Sequence, residues 1–202
     1  EMACEKGAAA VVHSDSLKKR KGVAYVTAED TNRELNRVCD LFFGYPSHKM
    51  TVFGVTGTNG KTTTTSIIRD VYNKPCGYMG TIAVRYGNVS RIPSLTTPDA
   101  LEIHGNLKEM ADYGMEAVAM EVSSHGLAMG RTDSVDFDIT VFTNLTYDHL
   151  DYHKTMDQYF EAKKRLFTQM KPAGTAVLNA DDISFEELKK AASCRVVTYG
   201  MV

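Results

Sequence analysis

The apolar period changes several times along the chain, and each change marks an element. Residues 8–14 (AAAVVHS) and 22–26 (GVAYV) are short apolar runs that read as buried strands. Thr31-x-x-Glu34 forms a capping box, and Leu35, Val38, Cys39, Phe42 and Phe43 follow at i, i+3, i+4, i+7 and i+8. That spacing predicts a helix with one apolar stripe, stopped by Gly44 and Pro46. Residues 45–49 then read as a hinge. From Met50 the order is strand (TVFGV), glycine loop (TGTNGK) and helix (TTTTSIIRDVY). Further strands are predicted at 116–122, 137–143, 175–179 and 195–199. Helices are predicted at about 98–113, 156–170 and 184–192. Strands without polar alternation, separated by helices, imply an α/β fold with a doubly wound, mostly parallel sheet. In such sheets ligands sit at the carboxyl ends of the strands.

Composition narrows the partners. Twenty-three Lys and Arg against 25 Asp and Glu give a net charge of −2, with no block of like charge beyond Lys18–Lys21. That balance suggests neither a nucleic-acid nor an anionic-membrane partner. No apolar run reaches the ~18 residues of a membrane span, and no signal-peptide pattern opens the chain. Cys4, Cys39, Cys76 and Cys194 lie far apart without a CxxC, against zinc ribbons and disulfide scaffolds. A reducing cytoplasm is expected. The chain starts at Glu1 rather than Met, so a piece of a longer product is expected as well.

The candidate chemistry starts at Gly57-Thr58-Asn59-Gly60-Lys61-Thr62, between a strand and a helix. Backbone N–H groups of such a loop point at phosphate oxygens, and the helix N-terminus adds positive partial charge. Lys61 is placed to reach the β/γ-phosphates and Thr62 to hold Mg²⁺. The strict GxxxxGK[ST] spacing fails, since Val55 stands at the first glycine position between Gly54 and Gly57. The loop reads as a nucleoside-triphosphate site nonetheless.

Three residues downstream carry further chemistry. Glu121 closes the predicted strand EAVAMEV, and is either a cap or salt-bridge partner or an oxygen ligand for Mg²⁺ beside phosphate. His149 and His153 are four apart, a weak likeness to a zinc pair, and His153 reads as a polar residue in a strand-to-helix loop. Lys163 falls on the apolar stripe Tyr159, Leu166, Phe167 and Met170, while Lys164 and Arg165 do not. It is either a lysine snorkelling at the edge of the stripe or a buried neutral amine open to modification.

In order along the chain, TGTNGKTTT, TTPD (96–99), EVSSHGL (121–127), FTNLTYDHLDYH (142–153), YFEAKKRLF (159–167) and LNADD (178–182) resemble the Mur ligases. They are most similar to the UDP-N-acetylmuramoyl-tripeptide synthetase branch. The resemblance covers nearly the whole chain. It implies an ATP-dependent amide ligase of peptidoglycan precursor synthesis, with ATP and Mg²⁺, acting on UDP-MurNAc-L-Ala-D-Glu through an acyl phosphate. The attacking amine comes from meso-diaminopimelate or L-lysine. By the same resemblance Gly57 to Thr63, with Asn144, contact the nucleotide. Thr62, Glu121, His149 and Lys163 hold Mg²⁺, Lys163 as a carbamate, and Lys61 and Lys163 are the catalytic pair. Thr96, Thr97, Ser123 and Arg131 contact the UDP substrate. Met129 departs from the glutamine of some members, which puts one substrate hydrogen bond in doubt.

The resemblance further implies two parts, the end of a smaller α/β UDP-substrate-binding domain at 1–48 and an incomplete central ATP-binding domain at 49–202. By the same resemblance the amino-acid-selecting C-terminal domain is expected to be absent from these 202 residues. A bacterial cytoplasmic monomer is implied, with this piece inactive alone. The competing expectation is a stand-alone nucleotide-binding module without ligase activity.

Overall fold

The computed structural model describes residues 1–201. A short helix α1 (Met2–Glu5) leads into β1 (Ala10–His13) and β2 (Ala24–Thr27), which pair in parallel as a sheet of their own. Their side chains alternate between exposed and half-buried, so these strands are not the buried pair that their apolar runs suggest. A two-stranded sheet has no central strand to bury.

In α2 (Thr31–Phe42) the cap is Asp30, one residue before the predicted box. Its Oδ1 accepts the N–H groups of Asn32 and Arg33 at 2.9 and 3.0 Å. An ionised carboxylate answers the orphan N–H groups and the helix dipole together. Glu34 turns instead to Arg37 at 3.0 Å. The apolar stripe of this helix is only partly covered: Cys39 is buried, whereas Val38 and Phe42 are 54% and 78% exposed. The helix packs on α4 (Ala100–Asp112), where Asp40 meets His104, while Asn36 Nδ2 donates to the Gly130 carbonyl at 2.7 Å; the rest of the stripe stays open. Residues 46–49 of the predicted hinge form a 3₁₀ turn, entered through Gly44 and Tyr45 at positive φ.

The main sheet has eight strands in the order β10-β9-β8-β3-β7-β4-β5-β6. It is built from β3 (Thr51–Thr56), β4 (Cys76–Gly80), β5 (Ala83–Tyr86), β6 (Val89–Arg91), β7 (Ala117–Glu121), β8 (Ile139–Phe142), β9 (Thr175–Asn179) and β10 (Arg195–Tyr199). Six strands run parallel: the five that were expected, and β4, which the pattern analysis passed over. β5 and β6 fold back antiparallel as an edge hairpin that the pattern analysis passed over. Its signal was present: Gly87-Asn88, with Gly87 at φ +51°, joins two short alternating segments. Between strands lie α3 (Lys61–Val71), α4, α5 (Ser124–Ala128), α6 (Leu150–His153), α7 (Met156–Thr168) and α8 (Phe185–Ala191). Pro98 precedes α4 rather than opening it, and Asp99 caps it, accepting the Glu102 N–H at 3.0 Å.

Both faces of the sheet are covered. Val52, Val118 and Met120 face a large core with Ile103, Leu107 and Met110 of α4 and Leu166 and Phe167 of α7. Phe53, Ala117 and Ala119 face a smaller one with Ile68 of α3. The chain leaves β3 toward β4 on one side and returns through β7 to β8 on the other, so β3 lies at the switch point. The loops after β3, β7 and β8 therefore meet at one edge. Among the described residues no helix is long and apolar enough to cross a membrane. All four cysteines are free.

Candidate functional site

A cavity of about 510 Å³ opens where these three loops converge. Thr58 to Thr63, Thr96, Thr97, Glu121, Ser123, Arg131, His149 and Lys163 all line it, together with Thr81, Leu95, Ser124 and His125. The structure thus brings together nearly every residue singled out in the sequence. Gly57 and Asn144 sit just behind the lining.

The glycine loop is held from behind by the loop after β8. A Cβ on Gly57, whose φ is +150°, would stand 1.8 Å from Thr143 Oγ1, so only glycine fits. Asn144 and Asn59 form a reciprocal pair: the Asn59 N–H donates to Asn144 Oδ1 at 3.0 Å, and Asn144 Nδ2 donates to the Asn59 carbonyl at 3.1 Å. Thr58 Oγ1 accepts the Thr146 N–H at 2.9 Å and meets the Tyr159 hydroxyl at 3.1 Å. Asn144 is therefore a brace of the loop. Lys61 curls back, its Nζ donating to the carbonyls of Gly57 and Thr58 at 3.0 and 2.9 Å. Burial lowers its pKa, against the opposing charges of Glu121 and Asp148.

Glu121 is fully buried and meets donors on both oxygens. Oε1 accepts from the Tyr78 hydroxyl and from the Thr81 N–H at 2.9 Å. Oε2 accepts from Thr62 Oγ1 and Thr81 Oγ1, each at 3.0 Å. No cation lies within salt-bridge reach among the described residues, so the carboxylate is no salt-bridge partner. A hydroxyl at the start of α3 and a buried carboxylate oxygen 3.0 Å apart form the hard-oxygen donor pair that Mg²⁺ accepts beside phosphates. Among the described residues no three His, Cys, Asp or Glu side chains gather as a self-sufficient metal centre. Mg²⁺ needs no such cage, since nucleotide phosphates and water fill its shell.

Lys163 is 1% exposed and does not snorkel. Its Nζ donates to the Gly57 carbonyl at 2.7 Å and lies 4.4 Å from the centre of the Tyr159 ring. Burial, and then the charge of Lys61, hold its pKa well below the ordinary lysine value. A neutral amine that lines the cavity is the form able to take up CO₂.

The two histidines separate. His149 is half-exposed at φ +52°, its ring 5.0 Å from that of His125. His153 is buried in α6, with Nε2 2.9 Å from Ser124 Oγ, so it is no loop residue. Both rings stand beside His125, at 5.0 and 5.4 Å, and among the described residues no group of three or more His, Cys, Asp or Glu forms there that could hold a metal. Around them His125 stacks on Tyr152 at 4.2 Å, and burial lowers its pKa.

Among the expected substrate contacts, Thr97 Oγ1 donates to the Glu121 carbonyl at 3.0 Å and accepts the Ser123 N–H at 2.9 Å. Ser123 caps α5 through Gly126 N–H at 3.1 Å. Arg131 Nη1 donates to the Thr97 carbonyl at 2.8 Å, and Nη2 lies 3.0 Å from Met129 Sδ. Thr96 Oγ1 is 3.0 Å from Thr81 Oγ1. Ser124, His125 and Tyr159 lie inside the quoted motifs but drew no role there, and Tyr78 and Thr81 lay outside every motif; all five stand at the site.

The Mur ligase middle domain matches residues 55–202. The chain is 44% identical over 210 residues to the UDP-N-acetylmuramoyl-L-alanyl-D-glutamate–2,6-diaminopimelate ligase of Geobacillus kaustophilus, covering 100% of this chain and 42% of that one. It is 40% identical to the ligase of the same description from Geobacter sulfurreducens, covering 98% of this chain and 40% of that one. A solved structure of a ligase of this description superposes with a TM-score of 0.84 at 32% identity, over 99% of this chain and 42% of that one. The MurF ligase of Thermotoga maritima in complex with ADP shares the fold, with a TM-score of 0.61 at 20% identity, over 98% of this chain and 43% of that one. The chain spans about two fifths of the length of the curated relatives it matches. With the phosphate loop, the buried carboxylate and the buried lysine in one cavity, and with the match running over most of its length, the chain belongs to the Mur ligase family.

Proposed function

We propose that this chain carries the ATP-binding core of an amide ligase that joins diaminopimelate to UDP-MurNAc-L-Ala-D-Glu in the bacterial cytoplasm. The carrying observation is the convergence of the loop residues 58–63, Glu121 and Lys163 on one cavity. The names of the relatives favour diaminopimelate over lysine. On this reading residues 1–48 belong to the end of the UDP-substrate domain, and 49–202 to the ATP-binding domain.

Loop N–H groups and Lys61 hold the triphosphate in line with the D-glutamate carboxylate. A carboxylate oxygen attacks the γ-phosphorus, the bond to the β,γ-bridging oxygen breaks, and ADP leaves. The amine of the diamino acid then adds to the acyl phosphate and inorganic phosphate departs, leaving the amide. Such transfer rests on positioning and charge neutralisation. Thr62, Glu121, His149 and a carbamate on Lys163 would hold Mg²⁺, which supplies the neutralising charge on the transferring phosphoryl group. Lys61 must swing off its two carbonyls to reach phosphate, and Thr96, Thr97, Ser123 and Arg131 face the UDP substrate.

The test is phosphate release by the full-length protein. It is expected to require both UDP-MurNAc-L-Ala-D-Glu and the diamino acid, and Lys61→Ala is expected to abolish Mg-ATP binding. Phosphate release indifferent to the UDP substrate would reject the ligase and leave a nucleotide-binding module.

A further inference from the structure

The end of β4 is shaped around Glu121. Tyr78 pairs in register with Ala119 of β7, so Tyr78 and Gly80 fall on the sheet face that carries Ala119 and Glu121. Tyr78 is 2% exposed, and a buried phenol needs a partner for its hydroxyl. It finds Glu121 Oε1. Gly80 leaves the room: a Cβ there would stand 2.3 Å from that same oxygen. The Thr81 N–H then closes over Oε1 at 2.9 Å.

The two carboxylate oxygens are treated differently. Oε1 is fixed by a phenol anchored in the core and by a backbone N–H that cannot turn away. Oε2 meets only the hydroxyls of Thr62 and Thr81, which rotate freely and can exchange a donated proton for an accepted cation. We propose that Tyr78 is a positioning residue for a divalent cation, pinning Oε1 so that Glu121 offers Oε2 beside Thr62. The inference rests on Glu121 being a cation ligand. Partners that orient a ligating carboxylate commonly change metal affinity by 10–100-fold when removed.

The experiment uses Mn²⁺ as a paramagnetic probe on the full-length protein with ADP bound, reading free Mn²⁺ by electron paramagnetic resonance. Tyr78→Phe keeps the ring and removes the hydroxyl. It is expected to weaken Mn²⁺ about tenfold while ADP affinity in EDTA stays within about twofold. Mn²⁺ affinity unchanged beside a lowered Tm would make Tyr78 a packing residue and overturn the proposal. Gly80→Ala, which pushes on Oε1 with the phenol intact, serves if Tyr78→Phe does not fold; it is expected to weaken Mn²⁺ similarly, and an unchanged affinity there likewise overturns the proposal. Glu121→Gln tests the underlying reading separately: if it leaves Mn²⁺ affinity unchanged, Glu121 is no ligand, whatever Tyr78 does.

Discussion

Lys163 Nζ donates to the carbonyl oxygen of Gly57 at 2.7 Å, across 106 residues of chain. That bond ties α7 to the turn of the phosphate loop, and it needs only a neutral amine. The folded state therefore has little use for the proton that an unfolded lysine carries at neutral pH.

A stability prediction follows from that mismatch. Burial lowers the folded pKa of Lys163, so the unfolded chain binds more protons at every pH between that lowered value and about 10.4. The lysine is then most costly below its lowered folded value, and its cost fades as pH rises from there toward the unfolded value. Lys163→Met is expected to raise Tm at pH 6, in bicarbonate-free buffer, by more than it does at pH 10. A gain that is equal at both pH values would show that the folded lysine is charged and paired.

The same amine is predicted to take up CO₂. With ¹³C-bicarbonate the full-length protein should show a carbamate carbon resonance that Lys163→Met lacks. Lys163→Ala should lose turnover and regain part of it with short carboxylates, which replace the missing oxygens. Full activity of Lys163→Ala without rescue would reduce the residue to packing.

Asn144 offers a sharper mutational contrast. Asn144→Ala strips Asn59 of its reciprocal amide partner, at a cost of about 1 kcal/mol, roughly a fivefold loss of nucleotide affinity. Asn144→Asp keeps an acceptor for the Asn59 N–H but faces the Asn59 carbonyl with a second acceptor and adds negative charge behind the phosphates. It should bind ATP more weakly than the alanine variant, as read by fluorescent-nucleotide titration. Equal affinities would mean that Asn144 merely fills space.

The parallel strands and their loops were legible because buried parallel strands are continuous apolar runs and because loop 57–62 punctuates them. Lys163 was legible for the opposite reason, as a charged residue on an apolar stripe. What hydrophobic period alone did not bring out was β4 and the edge hairpin 83–91, whose strands are short and whose one signal is the Gly87-Asn88 turn. Without β4 and that hairpin, Tyr78 and Thr81 had no place beside Glu121. The α2 stripe misled in another way: its period is helical, yet burial depends on how many neighbours arrive, and of the helix only Asn36 and Cys39 are buried. The resemblance named Thr97 and Arg131, but the bonds of Thr97 to the β7–α5 turn and of Arg131 to the Thr97 carbonyl exist only in three dimensions.

The α2–α4 interface carries the last prediction. His104 is fully buried on α4 with neither ring nitrogen hydrogen-bonded, and Asp40 Oδ1 lies 3.5 Å from Nδ1. Burial pushes the histidine down to about 4 from 6.5, and burial also raises Asp40, so neither group favours a charge there. Because the folded pKa is the lower one, the unfolded chain takes up a proton first as the pH falls through 6.5. Stability drains from there to about pH 4, by about 3 kcal/mol in total at 1.36 kcal/mol per unit. His104→Leu removes the titrating group and two unpartnered nitrogens while keeping most of the volume. Its urea midpoint should match or exceed that of the unaltered chain at pH 7, and its decline between pH 6.5 and 4.5 should be visibly flatter. An unchanged slope would mean that His104 charges within the fold, with Asp40 as its counter-ion, and the two helices would then be joined by an ion pair rather than by a neutral contact.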